Sequence, residues 1–402
     1  MPGRASPVRS EHFVQEGYLA ASGVIDRAGL DELISALRGD GYTTVGPTLR
    51  DGVILYDEIT GTADLPIGWT DRQRPGGYRL EERGDDRLFG FVVGPRSWKR
   101  YLYPERSVVW AGQRNEDGWH DAPPAPAPRY AFIGARGCEL AAIAIQDSVF
   151  MGEGRPVDPT YAGRRTQAFI VAVDCDEPGE NCFCLSMGTG PSAGPGYDLA
   201  LHELADGSDV RLLVTVGTER GEELLHRVSG LASVTDTDVT QAAEQMEHAA
   251  TAMKHALDTE DIHDLLLGNL THPHWADVAE RCLACANCTL VCPTCFCSTV
   301  EDDMTLDGSE ATRTRRWDSC FSADFSYIHG GPIRPGTASR YRQWLTHKLA
   351  TWYDQFGVSG CVGCGRCITW CPVGIDLTAE VAAIRAADQR TGTPLTTPEV
   401  LK

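Results

Sequence analysis

Hydrophobic positions near the start of the chain recur at intervals of three and four residues. This period places them on one face of an amphipathic helix. Asp26 is suited to cap the first turn of that helix, and Gly39 is suited to end it. The positions that carry the pattern are Leu30, Leu33, Ile34 and Leu37.

Short apolar runs further along the chain predict strands, and one helical segment lies among them. The helix is predicted at 138–150, between two of these runs, which gives a strand, helix, strand order. Such an order favours a parallel crossover in one sheet. A stretch with four prolines at 121–128 predicts an exposed, extended connector. The candidate strands are 52–57, 87–93, 130–134, 168–174, 197–204 and 210–216.

The composition changes near residue 238. Residues 239–270 are rich in Ala, Glu, Gln, Met and Leu, and the patterns beyond them are mostly helical, interrupted by cysteine loops. The sequence therefore predicts an α+β protein with two domains. We expect an α/β domain at 1–238 and a mainly helical, ferredoxin-like domain at 239–402.

Charge and hydropathy restrict the class of protein. The 402 residues include 36 Lys and Arg against 56 Asp and Glu, a net charge of −20 that argues against nucleic-acid binding. The first residues lack a signal-peptide pattern, and no apolar run approaches the length that spans a membrane. These features predict a soluble, cytoplasmic protein that does not bind a membrane.

The most specific pattern is Cys-x2-Cys-x2-Cys-x3-Cys-Pro, which occurs twice. This spacing is typical of a [4Fe–4S] site in which the fourth cysteine binds the other cluster of a pair. The sequence therefore predicts two clusters and an electron carrier. The first cluster is assigned to Cys282, Cys285, Cys288 and Cys371. The second cluster is assigned to Cys361, Cys364, Cys367 and Cys292.

Two other interpretations of these cysteines are weaker. Zinc also uses Cys-x2-Cys pairs, but a tetrahedral site does not need the third and fourth cysteines or the proline. A disulfide framework suits short secreted chains, whereas this chain has 402 residues and an odd count of 15 cysteines.

The two motifs are far apart in the chain, since 68 residues separate Cys292 from Cys361. A compact ferredoxin has no such insertion, so we expect it to have its own structure. Its pattern is helical at 339–352, where apolar and aromatic side chains cover one side. In spacing and helical context this part resembles the all-helical ferredoxin domain of fumarate reductase iron–sulfur subunits.

Seven cysteines lie outside the two motifs. Four of them suit a third [4Fe–4S] cluster, because one opens a helix after a strand and three lie on a loop after the next strand. The alternative is that they are buried thiols that pack as small apolar groups. These four are Cys138, Cys175, Cys182 and Cys184. The other three, Cys295, Cys297 and Cys320, are expected to pack near a cluster without binding it.

Several runs together resemble a known family, the beta subunits of cytoplasmic NAD(P)-linked nickel–iron hydrogenases, also called sulfhydrogenases. The related electron-transfer subunit of anaerobic sulfite reductase shares the likeness. The runs are GARGCEL at 134–140, CFC at 182–184, RCLACANCTLVCPTCFC at 281–297, RRWDSC at 315–320, GGPIRPG at 330–336 and CVGCGRCITWCP at 361–372.

The resemblance implies an electron-transfer subunit within an oxidoreductase complex. Its partners would be the small and large hydrogenase subunits and a flavin subunit that exchanges hydride with NAD(P)H. No acid–base or nucleophile constellation stands out, so we expect no catalytic turnover from this chain alone. The alternatives are a relay for sulfite reduction, a zinc-stabilised scaffold, and a flavoenzyme that acts alone.

Overall fold

The computed structural model describes residues 21–123, 126–204 and 209–391. The described part of the predicted connector at 121–128 is irregular after Asp121. In chain order, the strands are β1 (Gly23–Ile25), β2 (Thr43–Arg50), β3 (Val53–Glu58), β4 (Trp69–Arg74), β5 (Gly77–Glu82), β6 (Arg106–Asn115), β7 (Gly118–Asp121), β8 (Tyr130–Ala135), β9 (Phe169–Val173), β10 (Leu199–Leu204), β11 (Arg211–Val216), β12 (Ser298–Met304), β13 (Glu310–Trp317), β14 (Tyr327–Ile328) and β15 (Gly331–Pro332).

Helices cover the main sheet and make up much of the C-terminal region. A 3-10 turn lies at Thr62–Asp64 and a π-helical turn at His347–Thr351. The α-helices are α1 (Arg27–Gly39), α2 (Lys99–Leu102), α3 (Gly137–Phe150), α4 (Pro159–Gln167), α5 (Cys184–Met187), α6 (Glu219–Leu225), α7 (Asp236–Ala252), α8 (Ile262–Gly268), α9 (His274–Arg281), α10 (Asn287–Leu290), α11 (Thr337–Thr346), α12 (Trp352–Phe356), α13 (Arg366–Thr369) and α14 (Leu377–Thr391).

The main sheet has seven strands within the described ranges, in the order β1-β11-β10-β9-β8-β2-β3. Strands β2, β8, β9 and β10 run parallel. The predicted helix between β8 and β9 is α3, and α4 follows it in the same connection. Every residue of β9 is buried, as expected for a parallel strand covered on both faces. Because β8 and β9 are parallel, their carboxyl ends lie at one edge, and Cys138 and Cys175 follow those ends.

Helix α1 matches its predicted amphipathic pattern. The side chain of Asp26 accepts a hydrogen bond of 2.8 Å from the backbone N–H of Gly29, which caps the first turn. Its four apolar positions are buried in the core of the main sheet.

The predicted strand at 87–93 is wrong. This segment is buried but irregular, because side chains satisfy its backbone groups in place of a neighbouring strand. Glu203 accepts from the N–H groups of Leu88 (2.7 Å) and Phe89 (2.9 Å). The carbonyl groups of the segment are also bonded, because the guanidinium of Arg136 donates to those of Phe89 (2.7 Å) and Phe91 (3.0 Å).

A second, four-stranded sheet among the described strands has the order β12-β13-β6-β7. Strands β12 and β13 come from the insertion between the cysteine motifs, whereas β6 and β7 come from the first 121 residues. The insertion is therefore only partly helical: α11 to α12 covers the predicted helix at 339–352, and the preceding part forms a hairpin.

Helix α7 begins at Asp236, so it spans the predicted change in composition near residue 238, and it packs on the main sheet. Its buried residues Val239 and Met246 contact Leu204 and Leu213, which lie on β10 and β11. A further core surrounds the cysteine motifs, where apolar and aromatic side chains from α8, α9, α11 and α14 meet.

Replacing Glu203 by Gln tests the carboxylate support of the 87–93 segment. An amide group presents one acceptor oxygen, so one of the two buried N–H groups of Leu88 and Phe89 loses its partner. We expect the free energy of unfolding to fall by about 1–3 kcal/mol, measured by denaturant unfolding. The matched control is Glu58→Gln at an exposed position of β3. Equal stability of both variants would contradict this account.

Candidate metal centre

The two cysteine motifs fold into the same loop. In each, the second and fourth residues after the first cysteine have positive φ angles, which wind the backbone so that the cysteines face inward. These residues are Ala284 (50°) and Ala286 (66°) in one motif and Gly363 (66°) and Gly365 (70°) in the other. Each loop continues directly into a four-residue helix, α10 or α13.

Backbone N–H groups in these loops point at cysteine sulfurs. Such donors favour the thiolate form that iron requires. The hydrogen bonds run from Ala284 to Cys282 Sγ at 3.4 Å, from Gly363 to Cys361 Sγ at 3.4 Å, and from Ile375 to Cys371 Sγ at 3.3 Å.

Cysteines of both motifs line a first cavity together. Its remaining walls are mostly apolar and include Phe321, Tyr341 and Trp344. Cys285 is exposed and Leu283 is 63% exposed, so this cavity lies at the surface. The four cysteines predicted for the first cluster all line it: Cys282, Cys285, Cys288 and Cys371.

A second cavity lies deeper in the chain. Phe183 from the N-terminal region and Lys348 from the π-helical turn complete its walls. The four cysteines predicted for the second cluster all line this cavity: Cys292, Cys361, Cys364 and Cys367.

The four N-terminal cysteines line a third cavity, at the carboxyl edge of β8 and β9. Pro178, Gly190 and Pro191 shape its loops, and the guanidinium groups of Arg136 and Arg366 complete the wall. The structure thus brings together the cysteines that the sequence grouped as a possible third site: Cys138, Cys175, Cys182 and Cys184.

The three cavities are neighbours in a row. Cys367 lines both the first and the second cavity, and Cys364 lines both the second and the third. The second cavity therefore lies between the other two.

The cavities suit iron–sulfur clusters by their chemistry. Each is lined by at least four cysteines, and a [4Fe–4S] cluster needs four thiolates around a cube. Burial raises the pKa of Cys138, Cys288 and Cys367 well above the usual thiol value. Without metal these thiols keep their protons, and binding of iron releases them. In the described ranges, no three His, Cys, Asp or Glu side chains converge on a point that would hold a single ion.

The remaining cysteines lie outside the walls of these three cavities. Cys295 contacts the thiol of Cys292, and Cys297 contacts that of Cys320. The hydrogen bond from Cys320 lowers the pKa of Cys297 to about 7. All 15 cysteines lie in the described ranges, and none forms a disulfide.

Sequence reasoning missed the charged residues around the cavities. Glu139, next to Cys138, is 1% exposed and accepts hydrogen bonds from Arg366 (2.5 Å), Trp98 Nε1 (3.1 Å) and the phenol of Tyr56. Arg366 lies between Cys364 and Cys367, so this ion pair joins the third cavity to the second motif. In the sequence, this ion pair is signalled only by the position of Glu139 next to Cys138 and of Arg366 next to Cys367.

Comparison with known proteins agrees with this geometry. A family model described as a 4Fe-4S dicluster domain matches residues 281–375. The fold and the cysteine cavities, with this match, define an iron–sulfur electron-transfer protein. No solved structure matches the chain.

A more extensive match identifies the family. The chain is 36% identical over 342 residues to the sulfhydrogenase 2 subunit beta of Pyrococcus furiosus, and the match covers 85% of this chain and 91% of that protein. The chain therefore belongs to the family of sulfhydrogenase beta subunits, which confirms the resemblance seen in the sequence. None of the helices in the described part of the chain has the length and apolar character needed to cross a membrane.

Replacing Gly363 by Ala tests the close contact between the second motif and the loop at 181–184. A Cβ on Gly363 would lie 2.6 Å from the backbone of Cys184, and the φ of 66° is unfavourable for alanine. We expect the thermal midpoint of the iron-loaded chain to fall, with the backbone conformation alone costing about 1 kcal/mol or more.

Ala284→Gly is the matched control, since Ala284 holds the equivalent place in the first motif with a φ of 50°. Glycine relieves that conformation, so the control should be at least as stable as the parent chain. A Gly363→Ala variant as stable as this control would show that the contact is not tight.

Proposed function

We propose that this chain passes single electrons between a flavin subunit that oxidises NAD(P)H and a nickel–iron hydrogenase module of small and large subunits. The observation that carries the proposal is the row of three cysteine cavities, whose neighbours share a wall residue. The family of the chain supports the hydrogenase setting, since the similar protein is named as a subunit of a sulfhydrogenase.

The proposed ligands are the twelve cysteines of the three cavities. Bound [4Fe–4S] clusters supply one-electron redox chemistry. The thiolates hold the iron, backbone N–H groups in the loops donate to sulfur, and aromatic side chains such as Tyr341 and Trp344 exclude water from the first cavity. The third set, Cys138, Cys175, Cys182 and Cys184, raises the proposed number of clusters from two to three.

The exposed end of the row suits exchange with a partner. Leu283, Leu290 and Val373 are exposed apolar residues in or beside the loops that hold the first cavity. A partner that docks there approaches the first cavity without an intervening layer of protein.

Iron analysis tests the number of clusters. Anaerobically reconstituted chain should contain about twelve irons, at four per cluster. A Cys182→Ser, Cys184→Ser double variant should lose about four irons, because both thiols line the third cavity. The matched control is Cys320→Ser, which lies outside the three cavities and should keep the full content. About eight irons in the parent chain and in the double variant would refute the third site.

Partner capture tests which enzyme complex the chain belongs to. Tagged chain isolated anaerobically from lysate of its native host should bring with it both a flavin protein and a nickel–iron protein, whereas untagged chain on the same resin should not. Capture of a sirohaem protein together with sulfite-dependent oxidation of NADH would instead identify the relay of an anaerobic sulfite reductase.

A further inference from the structure

Lysine is rare in this chain, and its placement is unusual. The sequence contains four lysines: Lys99, Lys254, Lys348 and Lys402. Lys99 is 4% exposed and Lys348 is 3% exposed, although lysine is seldom buried without partners. Both buried lysines contact the segment from Leu290 to Cys295, which contains Cys292 of the second cavity.

The two buried ammonium groups contact different atoms. Lys99 donates to the backbone carbonyls of Leu290 (3.4 Å) and Cys295 (3.2 Å), and it lies over the ring of Trp317. Lys348 donates to a thiol, at 3.3 Å from its Nζ to Cys292 Sγ.

The contacts of Lys348 fix the position of its ammonium group. Besides the thiol, Nζ donates to Thr294 Oγ1 at 3.0 Å and to the carbonyl of Gly360 at 3.1 Å. These three acceptors match the three donors of an ammonium group. Gly360 immediately precedes Cys361, so Lys348 joins the two segments that bring Cys292 and Cys361 to the second cavity.

The backbone at Lys348 is also unusual. Residues His347–Thr351 form a π-helical turn between α11 and α12. Such turns insert an extra residue into a helix and are frequent at functional sites. Trp352, which follows the turn, is buried beside Lys348 and keeps solvent away from the ammonium group.

The first cavity provides an internal comparison. Among the described residues that line it there is no lysine or arginine, whereas Lys348 lines the second cavity. A buried cation stabilises the more negative, reduced form of a nearby redox group, and hydrogen bonds to sulfur act in the same direction.

We propose that the buried ammonium group of Lys348 raises the reduction potential of the cluster in the second cavity through its hydrogen bond to Cys292 Sγ. The cluster gains one electron on reduction, Lys348 keeps its protons, and no covalent bond forms or breaks. Lys348 is a positioning and tuning residue, since it acts through a ligand. The inference rests on the ligand set proposed above.

The test is a redox titration of the full, anaerobically reconstituted chain, followed by electron paramagnetic resonance. The signal of the second cluster is the one that a Cys361→Ser variant removes. In Lys348→Met, which keeps the aliphatic stem, the midpoint potential of that signal should fall. We expect at least a tenfold change in its ratio of oxidised to reduced form at fixed potential, or about 59 mV for a one-electron couple. The first cluster should keep its potential.

Two further variants separate charge from structure. Lys348→Gln retains an amide donor without the charge and should also lower the potential, and its midpoint decides the question if the Met variant does not assemble. Lys254→Met makes the same substitution at an exposed position and should change neither potential nor iron content.

An unchanged midpoint at parental iron content would overturn the proposal. Loss of about four irons in both Lys348 variants would also overturn it, because Lys348 would then hold the site together rather than set its potential. Partner capture is independent of these measurements, so failure of the proposed relay function is distinguishable from failure of the role of Lys348.

Discussion

A buried ion pair between Glu139 and Arg366 joins the N-terminal cysteine site to the second cysteine motif. Glu139 belongs to the helix that follows β8, and Arg366 belongs to the second cysteine motif. Loss of one partner would leave a buried charge without compensation, which typically costs about 3–5 kcal/mol. Because Cys138 adjoins Glu139 while Cys364 and Cys367 flank Arg366, the same pair fixes the third cavity against the second.

Backbone packing explains why the two motifs differ in sequence although their loops have the same shape. The second motif lies directly on the loop at 181–184, where a Cβ on Gly365 would come within 2.5 Å of the carbonyl of Asn181. Glycine is therefore required at 363 and 365 both for the positive φ and for the contact. In the first motif, Ala284 and Ala286 have positive φ angles at the equivalent positions. The cavity of this motif opens toward the surface, where Leu283 is exposed. The repeated spacing is thus set by the cysteine geometry, and the intervening residues are set by what each loop touches.

Local patterns predicted what depends on local physics. Helical period identified α1, apolar runs identified β8, β9, β10 and β11, and cysteine spacing grouped the thiols that line the first and second cavities. The sheet that joins β6 to β13 was not predicted, because its partners lie far apart in the chain, as in the pairing of Ala111 with Thr312. The irregular course of 87–93 was not predicted either, because the carboxylate that supports it belongs to Glu203, which is more than 100 residues away in the chain. Long-range partners of this kind leave no periodic pattern in the sequence. The contact between Lys348 and Cys292 joins residues 56 positions apart, and it was not predicted for the same reason.

Buried cations lie at the inner cysteine cavities although the whole chain is acidic. The net charge is −20, yet Arg136, Arg366 and Lys348 are buried at the second and third cavities. Thiolates gathered in a medium of low dielectric repel one another, and cations held by carbonyls and carboxylates offset that repulsion. Arg136 is held by the carbonyls of Asp174, Phe89 and Phe91, so its charge stays in place with or without metal. Among the described residues no lysine or arginine lines the first cavity, whereas these fixed cations line the inner cavities. The folding of the inner cavities is therefore tied to the placement of three charged side chains that no cysteine pattern reveals.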